Sequence, residues 1–377
     1  MSDPINIIVV IGTRPDVVKL APVIAALRCR PERFLTRVVF TSQHRELAAS
    51  ILDYFDLRPD HNLDVMTAGQ SLSDITARVL TSIGKVYEEE RPDLVMVQGD
   101  TTSAMAAALE AFHRRIPVAH VEAGLRTEEM YDPFPEEMNR RLITRLASLH
   151  FPATEANRAA LLRENVPAER IWVTGNPVID ALHRIMADPN LETPAIAGEI
   201  AERGNRLVVL TTHRRENFGE AQREIFRAVR AVLDAHQDIE IIFPVHPNPA
   251  VTAAIAEHLP DHPRLHRIQP MDYPAFIRLL ACAHFVMTDS GGLQEEAPAL
   301  GKPVLVLRAT TERQELITSG SGLLVGVRSE DIIAAVDRLM NDPALYARMA
   351  VPRYPFGEGE AAERVVSGIL GGIVGGS

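Results

Sequence analysis

Short apolar runs, each followed by a segment of helical spacing, recur in two separate series along this chain. The first series occupies residues 6–11 (NIIVVI), 37–41, 94–98, 118–121, 149–151 and 171–173. Helical segments at 17–28, 47–55, 72–88, 102–114 and 135–147 lie between them. The rhythm restarts at 207–211 (LVVLT) and continues through 239–244, 265–268, 285–288 and 303–307. Strands that are apolar throughout are covered on both faces, and strands that alternate with helices run parallel. The pattern therefore predicts an α/β chain of two Rossmann-like, doubly wound domains. The 377 residues suit two domains of ordinary size. The expected division is residues 1–175, a hinge and connector at 176–205 that begins beside Gly175-Asn176-Pro177, and residues 206–359. A last helix at about 360–371 is expected to cross back onto the first domain. Tandem domains of this kind set two groups of strand ends opposite each other, and ligands of such sheets bind beyond the carboxyl ends of the strands. The residues that follow strands are therefore the ones to read for chemistry.

Composition narrows the choice of partner. Lys plus Arg is 39 against 50 Asp plus Glu, a net charge of −11, which opposes non-specific binding to nucleic acid or to an anionic membrane. A local basic pocket for a small anion remains compatible with it. The two cysteines, Cys29 and Cys282, stand in neither a metal nor a redox spacing. The chain opens with no basic stretch ahead of an apolar one, and no apolar run reaches the ~18 residues of a membrane span. A cytoplasmic protein is expected. The histidines do not cluster at zinc spacings, no acidic grouping resembles a magnesium site, and Gly-x-Ser-x-Gly is missing, so neither metal nor cofactor is expected.

Seven segments carry polar chemistry, all but Pro133 to Arg140 directly after strands. Gly12-Thr13-Arg14-Pro15-Asp16, with Lys19 in the next helix, reads either as a tight turn with surface cations or as an anion site. Gln98-Gly99-Asp100-Thr101-Thr102, taken alone, reads as a helix cap. In His120-Val121-Glu122-Ala123-Gly124-Leu125-Arg126, Glu122 and Arg126 could form a structural ion pair; equally, Glu122 and Asp100 could form a carboxylate pair, the arrangement that divides acid and base roles. Pro133 to Arg140 has good helix-start chemistry in Pro135, Glu136 and Glu137. In the second series, Thr212-His213-Arg214-Arg215 and Pro244-Val245-His246 follow strands and suit a phosphate-facing rim. The strongest signal is Asp289-Ser290-Gly291-Gly292-Leu293-Gln294-Glu295-Glu296. There small residues open a helix at an anion-binding end, and Glu296 is placed to accept from ribose hydroxyls. Arg313 follows the next strand.

Taken in series, these segments resemble the non-hydrolysing UDP-N-acetylglucosamine 2-epimerases, from Gly12 to about Arg313. The resemblance implies a fold like the two-domain glycosyltransferase B class, with the two domains facing across a cleft, and a homodimer. It implies Asp100, Glu122, Glu136 and His213 as catalytic residues. Arg14, Lys19, Phe276, Ser290, Gly291, Gly292, Glu296 and Arg313 would bind the UDP-sugar. Family members activated by their own substrate bind it near the segment that here contains Gln43 and His44, with Gln70 close by. Asp16 stands where the family usually has Glu, Gln314 replaces a usual Pro, and Met271 replaces a polar residue; none of these belongs to the acid set. The implied reaction is anti elimination of UDP to a 2-acetamidoglucal followed by re-addition, with no redox cofactor. The Pro15 motif favours this over a hydrolysing epimerase. A glycosyltransferase of the same fold would need an acceptor groove and would not need three acids near C2.

Overall fold

The computed structural model describes residues 3–42, 45–67, 69–127, 129–212, 214, 217–245 and 249–374. The chain forms two compact units. One runs to His183 and resumes at Phe356; the other is Arg184–Pro355.

Unit one is built on strands β1 (Ile5–Ile11), β2 (Phe34–Phe40), β3 (His61–Asn62), β4 (Leu94–Gln98), β5 (Val118–Val121) and β6 (Leu149–Phe151). They form one parallel sheet in the order β3-β2-β1-β4-β5-β6. Ile7 to Ile11 are all buried, as a central strand with helices on both faces requires. Unit two repeats the plan with β7 (Arg206–Thr211), β8 (Ile239–Pro244), β9 (Leu265–Ile268), β10 (Phe285–Thr288), β11 (Val304–Val306) and β12 (Gly322–Leu324). Its order is β12-β11-β10-β7-β8-β9, again all parallel. In each sheet the strand order reverses beside the first strand, between β1 and β4 and between β7 and β10. Ligands of open α/β sheets bind at that switch point.

Three details depart from the sequence pattern. Strands β3 and β12 have too few residues to show a period. Residues 171–173, expected as a strand, make only an isolated bridge between His150 and Ile171. Trp172 N donates to His150 O and Thr174 N to Pro152 O, so the segment does run beside β6. The ladder cannot close because Pro152 has no N–H to return.

Residues 176–205, expected as a connector, contain the helices Val178–Ala187 and Ala195–Glu202. The final helix, Ala361–Val374, belongs to unit one. It lies against the helix Arg14–Arg28 and β6. A Cβ on Gly368 would come within 2.6 Å of Phe151, and one on Gly372 within 2.7 Å of Leu149, so those glycines allow the close approach. Asp180 caps its first turn, accepting from Ala361 N and Ala362 N at 3.2 and 3.0 Å.

Candidate active site

In unit one the turn after β1 is fixed by its own helix start. Thr13 is the N-cap of Arg14–Arg28, and Asp16 Oδ2 accepts from Gly12 N at 3.0 Å and Thr13 N at 2.9 Å. The anion at this helix end is therefore the chain's own carboxylate. Gly12 leaves no room for a side chain, because a Cβ there would meet Thr41 Oγ1 at 2.5 Å. Asp16 is buried, which pushes its pKa up to about 7, and the charge of Asp100 adds to the shift; the hydrogen bonds from the turn oppose it. Arg14 occupies the first position of the helix and is half-buried.

Glu122 follows β5 with φ +63°, a left-handed conformation that side chains seldom adopt. The residue is 9% exposed and its carboxylate is surrounded by donors. Lys19 Nζ lies 2.5 Å from Oε1, Asn176 Nδ2 donates to the same oxygen at 3.0 Å, and Gln98 Nε2 donates to Oε2. Arg126 is not its partner; that guanidinium makes a two-pronged pair with Glu164 at 2.7 and 3.1 Å. Lys19, implied at the nucleotide, here sits with Glu122.

Asp100 follows the neighbouring strand end, since Gln98 pairs with Val121 across β4 and β5. Arg140, itself buried, binds Asp100 Oδ2 through Nη2 at 2.6 Å and Nε at 2.8 Å. Asn139 Nδ2 holds the Asp100 carbonyl at 2.8 Å. Capping the helix Thr102–His113 falls to Thr101, whose Oγ1 accepts from Ala104 N at 3.1 Å, so Asp100 is not the cap. The two carboxylates thus each have a cation of their own. His120 Nε2 meets Gly99 O at 2.8 Å and ties the Asp100 turn to β5. Burial takes the His120 pKa down to about 3, so the ring is neutral and donates that bond.

Glu136 and Glu137 open the helix Glu136–Leu146 and are used differently. Glu137 is fully buried and takes Thr127 N, Arg140 and Arg141 at 3.1, 3.2 and 2.8 Å. Glu136, the catalytic candidate, is half-exposed.

In unit two Ser290 is the N-cap of the helix Gly291–Ala299 directly after β10. The Arg313 guanidinium packs over its first turn; a Cβ on Gly291 would meet Arg313 Nη1 at 2.6 Å, whereas one on Gly292 would meet nothing within 4 Å. Gly291 is thus explained by Arg313, and Gly292 leaves open space at a helix N-terminus. Arg313 is fixed by Glu295 at 2.7 Å and by Glu312, which also binds Arg308 at 2.8 Å. Asp289 is buried and holds Arg214 N and Asn217 Nδ2, both at 3.0 Å. Glu296 is buried and accepts from the Tyr273 hydroxyl at 2.8 Å. Phe276 is half-buried on the helix Tyr273–Ala281.

His213, Gln43 and His44 lie outside the described residues. Gln70 spans its own loop, accepting from Thr67 N at 2.7 Å and donating to Val65 O at 2.8 Å. Among the described residues no three His, Cys, Asp or Glu side chains are grouped to hold a metal, and no helix is long and apolar enough to cross a membrane.

Nothing in sequence spacing singles out Gln98, Arg140 or Tyr273. Their only signal was position: Gln98 at a strand end, Arg140 one turn into a helix and Tyr273 at the start of one. Asn176 stood out only as part of a turn.

The profile of the family described as UDP-N-acetylglucosamine 2-epimerase matches residues 26–370. The UDP-N-acetylglucosamine 2-epimerase of Yersinia pestis is 43% identical over 370 residues, 97% of this chain and 98% of that protein. The enzyme of the same name from Escherichia coli K12 is 43% identical over 369 residues, again 97% of this chain and 98% of its own length. The crystal structure of a Neisseria meningitidis UDP-GlcNAc 2-epimerase bound to UDP-GlcNAc superposes with a TM-score of 0.92 at 39% identity, covering 97% of this chain and all of that one.

Proposed function

Because the chain belongs to the UDP-N-acetylglucosamine 2-epimerase family, we propose that it interconverts UDP-N-acetylglucosamine and UDP-N-acetylmannosamine by inversion at C2, keeping sugar and UDP together at the end of the cycle. The observation that carries this reading is Glu122: a buried carboxylate locked by Lys19, Gln98 and Asn176, one strand away from an Asp100 locked by Arg140.

No carbonyl adjoins C2 of the sugar, so its proton is not acidic. Breaking the C1–O bond to UDP lets positive charge grow at C1 and makes removal of that proton feasible. A base takes the C2 proton, its electron pair forms the C1=C2 bond, and UDP departs with the electrons of the C1–O bond. Re-addition of UDP with a proton delivered to the opposite face of C2 completes the cycle. The chemistry needs positioned carboxyl groups near C2, donors for the leaving diphosphate, and exclusion of water from the glycal. Asp100, Glu122 and Glu136 are the acid/base set, joined by His213. Ser290, Gly291, Gly292, Arg313 and Arg14 receive the diphosphate, Glu296 the ribose hydroxyls, and Phe276 the nucleotide's apolar surface. Lys19 acts through Glu122. We take the working form to be a cytoplasmic homodimer.

Incubation with UDP-N-acetylglucosamine in D₂O tests the reading. Deuterium should appear at C2 of both epimers while the sugar stays joined to UDP, seen by NMR of the C2 proton. Free N-acetylmannosamine with stoichiometric UDP would mean a hydrolysing enzyme. Unlabelled C2 in a folded protein that binds UDP would end the epimerase reading.

A further inference from the structure

We propose that Asn176 is a positioning residue for this reaction, holding the Glu122 carboxylate ionised and in one orientation from the segment by which the chain leaves for unit two. The inference rests on the reading of Glu122 as an acid/base group and adds to it what the contact with Asn176 does for the reaction.

Asn176 is 1% exposed. Its side-chain oxygen accepts from Val178 N at 3.2 Å, so the end of the amide that faces Glu122 must be the NH₂, which donates to Oε1 at 3.0 Å. Lys19 donates to that same oxygen, but an ammonium on a flexible stem is a rotatable point charge and does not fix the plane of a carboxylate. An amide anchored at both its own ends does. Gln98, at the end of β4, completes the hold on the other oxygen.

The backbone of Asn176 is anchored as firmly. Its N–H donates to Phe356 O at 2.6 Å, the point at which the chain re-enters unit one. Beside it Gly175 and Gly357 touch, with φ of +85° and +110°. A Cβ on Gly357 would lie 2.8 Å from Gly175 Cα, so the approach requires glycine there. The outgoing and returning segments are therefore locked to each other at the residue that grips Glu122.

Donors to a carboxylate favour its charged form. Removing one should make Glu122 easier to protonate as well as looser. The test is Asn176→Ser in the full-length enzyme; Ser keeps an oxygen for Val178 N but does not span to Glu122. Its kcat is expected to fall about tenfold with KM for UDP-N-acetylglucosamine unchanged, and the acid limb of its pH–rate profile to move up by about one unit, the scale of a hydrogen bond to a charged group. A variant that is slower with the acid limb unmoved has lost only structure and overturns the proposal, as does one with normal kcat. Should Asn176→Ser fail to fold, the isosteric Asn176→Asp carries the test. It sets a like charge against Glu122, so the acid limb should move up further, and an unchanged profile overturns the proposal equally. Glu122→Gln serves as the control. If that variant turns over normally, the reading of Glu122 falls; if it is inactive while Asn176→Ser shows an unmoved limb, only the role of Asn176 falls.

Discussion

Lys19 Nζ and Glu122 Oε1 lie 2.5 Å apart, each side chain 8% exposed, although 103 positions separate them in the chain. The pair joins the helix after β1 to the turn after β5 and sets a cation directly on the foremost acid/base candidate. Burying two charges costs solvation that their attraction barely offsets, so the pair adds little net stability. Its purpose is better sought in holding Glu122 charged in a dry place.

Lys19→Met should therefore be more damaging than its exposure suggests. It strands the carboxylate, at a cost of about 3–5 kcal/mol. The double variant Lys19→Met, Glu122→Gln should recover much of that loss, since no buried charge is left alone. Urea unfolding of the three variants reads the order. A double variant less stable than Lys19→Met would contradict the pairing. Glu122→Gln alone should fold, bind UDP, and lose ~10²–10⁴-fold in turnover.

Gly291 and Gly292 are adjacent but should respond differently to alanine. At Gly291 the new methyl collides with the Arg313 guanidinium, whose partners Glu295 and Glu312 hold it in place. Both melting temperature and UDP affinity should fall. At Gly292 the methyl meets only open space, so the fold should be untouched, and UDP affinity should fall only because the ligand needs that space. Calorimetry with UDP and a thermal melt separate the cases. Full affinity in Gly292→Ala would move the diphosphate elsewhere.

Tyr273→Phe removes the hydroxyl that holds Glu296 Oε1. A hydrogen bond to a charged acceptor is worth about 1.5–3 kcal/mol, so UDP binding should weaken by about tenfold or more if Glu296 receives the ribose. Deoxyribose UDP analogues should lose less in the variant than in the wild type. An equal loss for both nucleotides would detach Glu296 from the ribose.

Stability should depend on pH through groups of opposite sign. Burial lowers His120 to about 3 and His150 to about 4, from 6.5, and the two face each other across β5 and β6. The unfolded chain binds protons there that the folded one refuses, so their contribution is complete above 6.5 and is lost as pH falls toward 4 for His150 and toward 3 for His120. His150→Gln should flatten that acid limb. Asp16 runs the other way: its pKa is about 7 folded against an ordinary 3.8, so stability falls as pH rises between the two. Asp16→Asn keeps an acceptor for Gly12 N and Thr13 N and cannot ionise. Its melting temperature relative to wild type should rise across that window; a constant difference would show that Asp16 does not titrate there.

Much of this was legible in the chain. The restart of the rhythm at Leu207 announces a second sheet, because fully buried strands leave long apolar runs. The helix openings at Thr13 and Thr101 carry their capping chemistry in adjacent letters. What could not be read is who meets whom. Glu122 and Arg126 have the spacing of an ion pair, yet the partners are Lys19 and Glu164, chosen by strand order rather than by distance along the chain. The sequence leaves open a carboxylate pair of Asp100 and Glu122; in the structure Arg140 binds the first and Lys19 the second. Nor does the sequence show that burial raises Asp16. Gln98 and Asn176 carry no charge and stand in segments that read as a helix cap and a turn, so their grip on Glu122 appears only when the fold brings those segments together.

The helix Ala361–Val374 packs on β6 and on the helix after β1, yet it is made after all twelve strands. During synthesis the first sheet therefore emerges lacking one of its covers, and the whole of Arg184–Pro355 must follow before Gly368 and Gly372 can close over Phe151, Leu149 and Trp172. An apolar flank stays open to water and to neighbouring nascent chains for that interval. Ribosome-bound chains halted before residue 361 should be protease-sensitive in the first sheet, even though every one of its strands has already been translated.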